Sequence, residues 1–186
     1  MILEFLEEKM MPFAAKIANQ RHLAAIKDGI IVTLPFIIAG SVFLILANLP
    51  IPAITKFYLT DTGQIIQKWL SYPVGVTFDL IAVITCLGIA YRLSESYKLD
   101  GISGAILGLV SFLLVTPFVI NFTHEKFGQL TAAGIPTSLT GSSGLFVAII
   151  MAILSTEIFN FIVKKDLVIK MPDMVPPAVS KSFAAL

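Results

Sequence analysis

Charged side chains are what this sequence has least of. No Asp, Glu, Lys or Arg occurs in residues 29–55, 101–123 or 127–156, and residues 69–91 hold only Asp79. Charged residues are 13 % of the chain and apolar ones 56 %, a balance outside that of an ordinary water-soluble domain. Cysteine is nearly missing too. Cys86 is the single one, which excludes a disulfide framework or a cysteine metal cluster within one chain. A net charge of +1 lacks the basic footprint of a nucleic-acid binder. Glu4, Glu7 and Glu8 stand where a signal peptide would be basic, and no small-residue cleavage site follows. There is no phosphate-binding loop, metal motif or nucleophile elbow. His22 and His124 have no sequence neighbours that imply a triad. No metal, cofactor or catalytic residue is expected, and both histidines are expected to be solvated.

The uncharged stretches are long enough to cross a bilayer, for which a helix needs about 20 apolar residues. The expected spans are residues 29–49, 72–92, 101–121 and 141–163. Ten Lys and Arg fall before, between and after them on one side, against Lys56, Lys68 and Lys126 on the other. Positive charge marks the cytoplasmic side, so both ends are expected in the cytoplasm. Tyr58, Trp69 and Tyr72 mark the outer boundary, and Tyr91 and Tyr97 the inner one. The fold expected is an all-α integral membrane bundle: four complete transmembrane helices, an N-terminal amphipathic helix and the start of a fifth span. By region, residues 1–27 are an interfacial segment, 28–170 the transmembrane domain, and 171–186 a Pro-rich connector that begins a further helix. In the first region Ile2, Leu6, Met10, Phe13 and Ile17 share one face, which either lies on the membrane surface or docks on cytoplasmic protein. A chain of this layout resembles the front part of something longer.

Small residues recur at helix-packing spacing. Gly104 and Gly108 do so in the third span, and Gly144, Ala148 and Ala152 in the fourth. They are expected to let helix backbones approach, within one chain or between chains. Pro35 and Pro117 interrupt two spans, as structural bends or as breaks lining a substrate path. Asp79 and Glu157 are the acidic groups at membrane depth, placed about 10 Å apart in depth by the rise of a helix. Each has either a structural or a substrate role. Asp79 and Asn121 are the substrate-binding candidates. The polar stretch 121–140, with His124, Glu125 and Lys126, is read as an extracellular loop.

Several segments together resemble enzyme IIC, the membrane component of bacterial phosphotransferase sugar transporters, of the lactose/cellobiose/diacetylchitobiose type. These are FLEEKMMPFAAKIANQRHLAAIKDGIIVTLPFIIAGSVFLIL (5–46), GIAYRLSESYKLDGISGAILGLVSFLL (88–114), GLFVAIIMAILSTEIF (144–159) and MPDMVPPAVSKSFAAL (171–186). The resemblance runs in order through nearly the whole chain. It implies a membrane permease component that carries a disaccharide inward and presents it to a partner IIB protein, which is phosphorylated through IIA. The IIC part itself is not phosphorylated. It implies about ten spans in the family, a homodimer held by the N-terminal half, and a sugar site with an essential His and Glu in the C-terminal half. Those two residues have no counterpart here, and neither His22 nor His124 replaces them. The chain is therefore expected to be the N-terminal scaffold half. The alternatives are a self-contained small oligomeric channel or transporter, with Asp79 and Asn121 lining a polar path, or a structural membrane subunit.

Overall fold

In the computed structural model, which describes residues 19–124 and 126–167, the chain is mostly helical. The regularities expected for residues 1–18 and 168–186, and the position of Glu125, lie outside the described residues.

The first apolar stretch starts earlier than residue 29. Helix α1 (Arg21–Ile31) and helix α2 (Leu34–Ala47) together form one 27-residue rod, long and apolar enough to cross a membrane. The rod is interrupted at Val32–Thr33, just before Pro35. Proline has no N–H for the ladder and crowds the turn before it. The Thr33 hydroxyl and its backbone N–H both donate instead to the Ile30 carbonyl, at 2.7 and 2.9 Å. A short helix α3 (Pro52–Tyr58) then leads to α4 (Asp61–Val74), where the Thr60 hydroxyl caps by accepting from Gly63 N at 3.2 Å. Two side chains from this segment close the end of α2. Tyr58 OH donates to the Leu46 carbonyl at 2.8 Å, and Gln67 Nε2 to the Ala47 carbonyl at 2.8 Å.

The expected second span, 72–92, is part of a longer and broken rod. Helix α4 carries Pro73, runs into a π-helical turn (Gly75–Asp79), and bends by 43° before α5 (Ile81–Ser96). The two broken rods lie antiparallel. Gln67 meets Ala47, and Thr77 meets Gly40, where an added Cβ would stand 2.7 Å from Thr77 Cβ. Gly88 meets Gly29, with an added Cβ 2.8 Å from the Gly29 carbonyl oxygen. Tyr97 meets Arg21. Glycine at 29, 40 and 88 is what allows backbones this close.

Helix α6 (Gly101–Leu114), capped by Asp100 Oδ2 on Ser103 N at 2.8 Å, is shorter than expected. Its 14 residues reach ~21 Å at 1.5 Å each, short of the ~30 Å of hydrocarbon. The third span expected over 101–121 is thus corrected at its far end, where the otherwise helical fold carries one hairpin. Pro117 stops the helix, and the β-branched and aromatic run behind it forms a strand. Strand β1 (Val119–His124) pairs antiparallel with β2 (Gly128–Ala133), Asn121 opposite Thr131. The stretch read as a polar loop is largely this hairpin, followed by the short helix α7 (Thr137–Thr140). A 3-10 turn (Ser142–Gly144) opens the last helix, α8 (Leu145–Lys164), and the two form a second rod of membrane-crossing length. Among the described residues, two helices meet the length and composition for crossing, or three if the bent α4–α5 pair is one span.

Helix α5 is the centre of the packing, with α1, α6 and α8 around it. Ala82, Cys86, Ile89, Ala90, Phe112, Ala148 and Ala152 form the buried core. Many large apolar side chains of α6 and α8 face the other way. Ile102, Ile106, Val110 and Leu114 are exposed along α6, and Phe146, Ile150, Leu154, Ile158 and Phe161 along α8. Contiguous apolar surface of this extent marks a lipid-facing or partner-facing side.

Candidate functional site

The small residues lie where three helices touch. A Cβ on Gly108 would stand 2.6 Å from Ala90 Cβ, and one on Gly104 would collide with the Ser94 hydroxyl. Cys86 sits in the same seam and donates its thiol to the Gly108 carbonyl at 3.3 Å. Ala148 and Ala152 are fully buried on α8, and Gly144 lies against the Leu139 carbonyl and Ala82.

The two substrate candidates are not brought together. Asp79 closes the π-helical turn with its side chain exposed, while its carbonyl accepts from Thr140 Oγ1 at 2.7 Å. Asn121 is exposed on β1. There it lines a groove of about 580 Å³ with Pro117, Ile120, Pro136 and Ser138, and Asp79 is not part of that lining. The depth expected between Asp79 and Glu157 also changes. The bend at Leu80 puts Asp79 at the head of α5, while Glu157 bonds to Tyr97 at its foot. The 16 residues of α5 separate the two by ~24 Å, not about 10 Å.

Three helices meet in a polar cluster at the foot of α5. His22 of α1 is not an isolated solvated ring: its Nε2 lies 2.9 Å from Glu157 Oε1 of α8. Tyr97, just past α5, donates its hydroxyl to the same oxygen. The Arg21 guanidinium lies 4.4 Å from the centre of the Tyr97 ring and the Lys164 ammonium 5.3 Å. Burial, and next the bond to Glu157, push the Tyr97 hydroxyl above its ordinary value. One carboxylate oxygen therefore ties α1, α5 and α8. Sequence reasoning missed the cluster because its members are 60 and 135 positions apart. The available signal was that His22, Tyr97 and Glu157 each sit within a turn or two of a basic span end.

His124, at the hairpin tip, accepts from Lys126 N at 3.2 Å and lies against Phe127. Among the described residues no group of three His, Cys, Asp or Glu is placed to hold a metal.

This arrangement of broken rods, hairpin and closing helix can be set beside known proteins. The model of the family described as "Phosphotransferase system, EIIC" matches residues 27–186. The chain belongs to that family. Among its EIIC relatives, the cellobiose-specific EIIC component of Geobacillus stearothermophilus is 50 % identical over 186 residues, which is 99 % of this chain and 41 % of that protein. The putative permease IIC component YwbA of Bacillus subtilis (strain 168) is 52 % identical over 183 residues, 97 % of this chain and 41 % of that protein. The crystal structure of the transporter ChbC, the IIC component from the N,N'-diacetylchitobiose-specific phosphotransferase system, superposes with a TM-score of 0.89 at 50 % identity, covering 97 % of this chain and 42 % of that one. The chain thus spans about two fifths of the length of these EIIC relatives.

Proposed function

We propose that this chain is the scaffold and dimerisation part of a disaccharide permease. It corresponds to the N-terminal half of an EIIC protein for a sugar of the cellobiose, diacetylchitobiose or lactose class. It crosses the bacterial cell membrane four times: as α1–α2, as α4–α5, through α6 and the residues that continue it to Phe118, and as α8. Both ends are cytoplasmic and it pairs with a second copy. The complete permease delivers the sugar to IIB for phosphorylation, with IIA upstream. The chain itself is no enzyme and needs no cofactor.

The observation that carries this reading is the contrast between packing and polarity. Helices α1, α5, α6 and α8 interlock through glycine and alanine. The candidate sugar-binding groups are dispersed: Asp79 and Glu157 at opposite ends of α5, Asn121 in the hairpin. A sugar site needs several polar groups converging on one concavity. The names of the relatives support the sugar class.

Calorimetry on the purified chain with cellobiose, diacetylchitobiose and lactose tests it. No saturable binding is expected. Joining the chain to the remaining length found in its relatives restores binding and, with IIB, phosphorylation-coupled uptake. Tight saturable binding to the chain alone would move the assignment to a self-contained transporter.

A further inference from the structure

The cluster at the foot of α5 has more positive charge than its carboxylate uses. Glu157 Oε1 is taken by His22 Nε2 and the Tyr97 hydroxyl. Arg21 and Lys164 converge on the Tyr97 ring from two different helices, and among the described residues neither has a carboxylate within ion-pair distance. Both are exposed, and the ring between them is half-buried. Their place along the helices matters as much as their charge. Arg21 is the first residue of the Arg21–Ala47 rod and Lys164 the last of the Ser142–Lys164 rod. The two rods end together at one aromatic ring, and with Lys27 and Asp28 within two turns of Arg21 this end lies in the headgroup layer. Tyrosine prefers that depth, and cations there attract anionic lipid.

We propose that Arg21 and Lys164, spaced by Tyr97, bind the phosphate of an anionic phospholipid headgroup, with the acyl chains lying along the exposed apolar face of α8. The site is independent of sugar recognition. Of the other basic groups at this end, Lys27 pairs with Asp28 at 3.4 Å and Arg92 with Glu95 at 3.1 Å, while Lys98 and Lys165 are exposed and neither meets the Tyr97 ring.

Native mass spectrometry of the full chain, titrated in micelles with dioleoyl phosphatidylglycerol or dioleoyl phosphatidylcholine, is the test. Phosphatidylglycerol is expected to be retained about thirtyfold more tightly, as two interfacial cations imply. Arg21→Gln with Lys164→Gln removes the preference. Arg21→Lys keeps most of it, and Lys27→Gln with Arg92→Gln leaves it intact. Thermal melting in phosphatidylcholine checks that each variant is folded. Inorganic phosphate does not displace the lipid. Equal retention of both lipids, equal loss in both double variants, or displacement by inorganic phosphate each overturns the proposal.

Discussion

Gly108 separates two effects that a hydrophobicity scale would merge. Leucine there is more apolar, yet its first carbon would already stand 2.6 Å from Ala90 Cβ. Overpacking a seam of this kind costs about 1–3 kcal/mol or more. Gly108→Leu is expected to lower the melting temperature in detergent markedly. Val110→Phe, on the exposed face of the same helix, stays within about 0.5 kcal/mol. Equal tolerance of the two would mean that α6 does not pack through this ridge. Glu157 makes a second residue-scale case. Its bonds to His22 and Tyr97 are only partly shielded from water, so His22→Ala and Glu157→Ala should couple by roughly 0.5–1 kcal/mol in a double-mutant cycle, at the low end for contacting residues. A coupling of zero would remove the tie between α1 and α8. The raised Tyr97 value has a definite sign. A group whose folded value lies above its unfolded one contributes stability that is complete below about pH 10. That contribution is lost as pH rises through the folded value. The alkaline fall in melting temperature should therefore be shallower in Tyr97→Phe than in the parent.

At the scale of elements, the hairpin and the helical core behave as separate pieces. Strands β1 and β2 pair with each other, their residues are exposed on both faces but for a partial cover of Leu130, and their contacts with the helices are slight. Replacing residues 119–133 by a short Gly/Ser linker should leave the melting of the helical core within about 0.5 kcal/mol. A large loss would show the hairpin to be packed against the bundle. The breaks in the rods have local causes readable in single residues: Pro35 after the turn at Val32–Thr33, Pro73 ahead of the π-helical turn, and Pro117 beyond the end of α6. What each break does to direction differs. Pro35 leaves one continuous 27-residue rod, whereas the break at Leu80 turns the chain by 43°.

For the whole molecule, the basic ends of α1 and α8 meet at Tyr97, and Arg92 and Lys98 flank that same end of α5. Positive charge gathered on one face predicts cytoplasmic exposure there. In intact cells, a membrane-impermeant thiol reagent should label Gln64→Cys and spare Lys98→Cys and Lys165→Cys. The reverse pattern would invert the topology. The native thiol does not confuse the result, because Cys86 is fully buried and bonded to the Gly108 carbonyl.

Class, family and the spacing of the small residues are legible along the chain, because each is written in neighbouring positions. Uncharged runs of bilayer length, Gly104 and Gly108 one turn apart, and segments such as 88–114 all declare themselves over short windows. The sequence also marked Pro35 and Pro117 as breaks. It did not show that the chain past Pro117 would pair as strands, because a β-branched apolar run reads equally as the end of a span. That Gly29, Gly40 and Gly88 are contact points emerges from the packed helices alone, since a single glycine carries no signal until its partner helix is placed. The tertiary structure alone set Asp79 and Glu157 at opposite ends of α5, through a bend at Leu80 that local periodicity does not record. It alone joined His22, Tyr97 and Glu157, because hydrogen bonding depends on distance in space, and these groups are far apart along the chain.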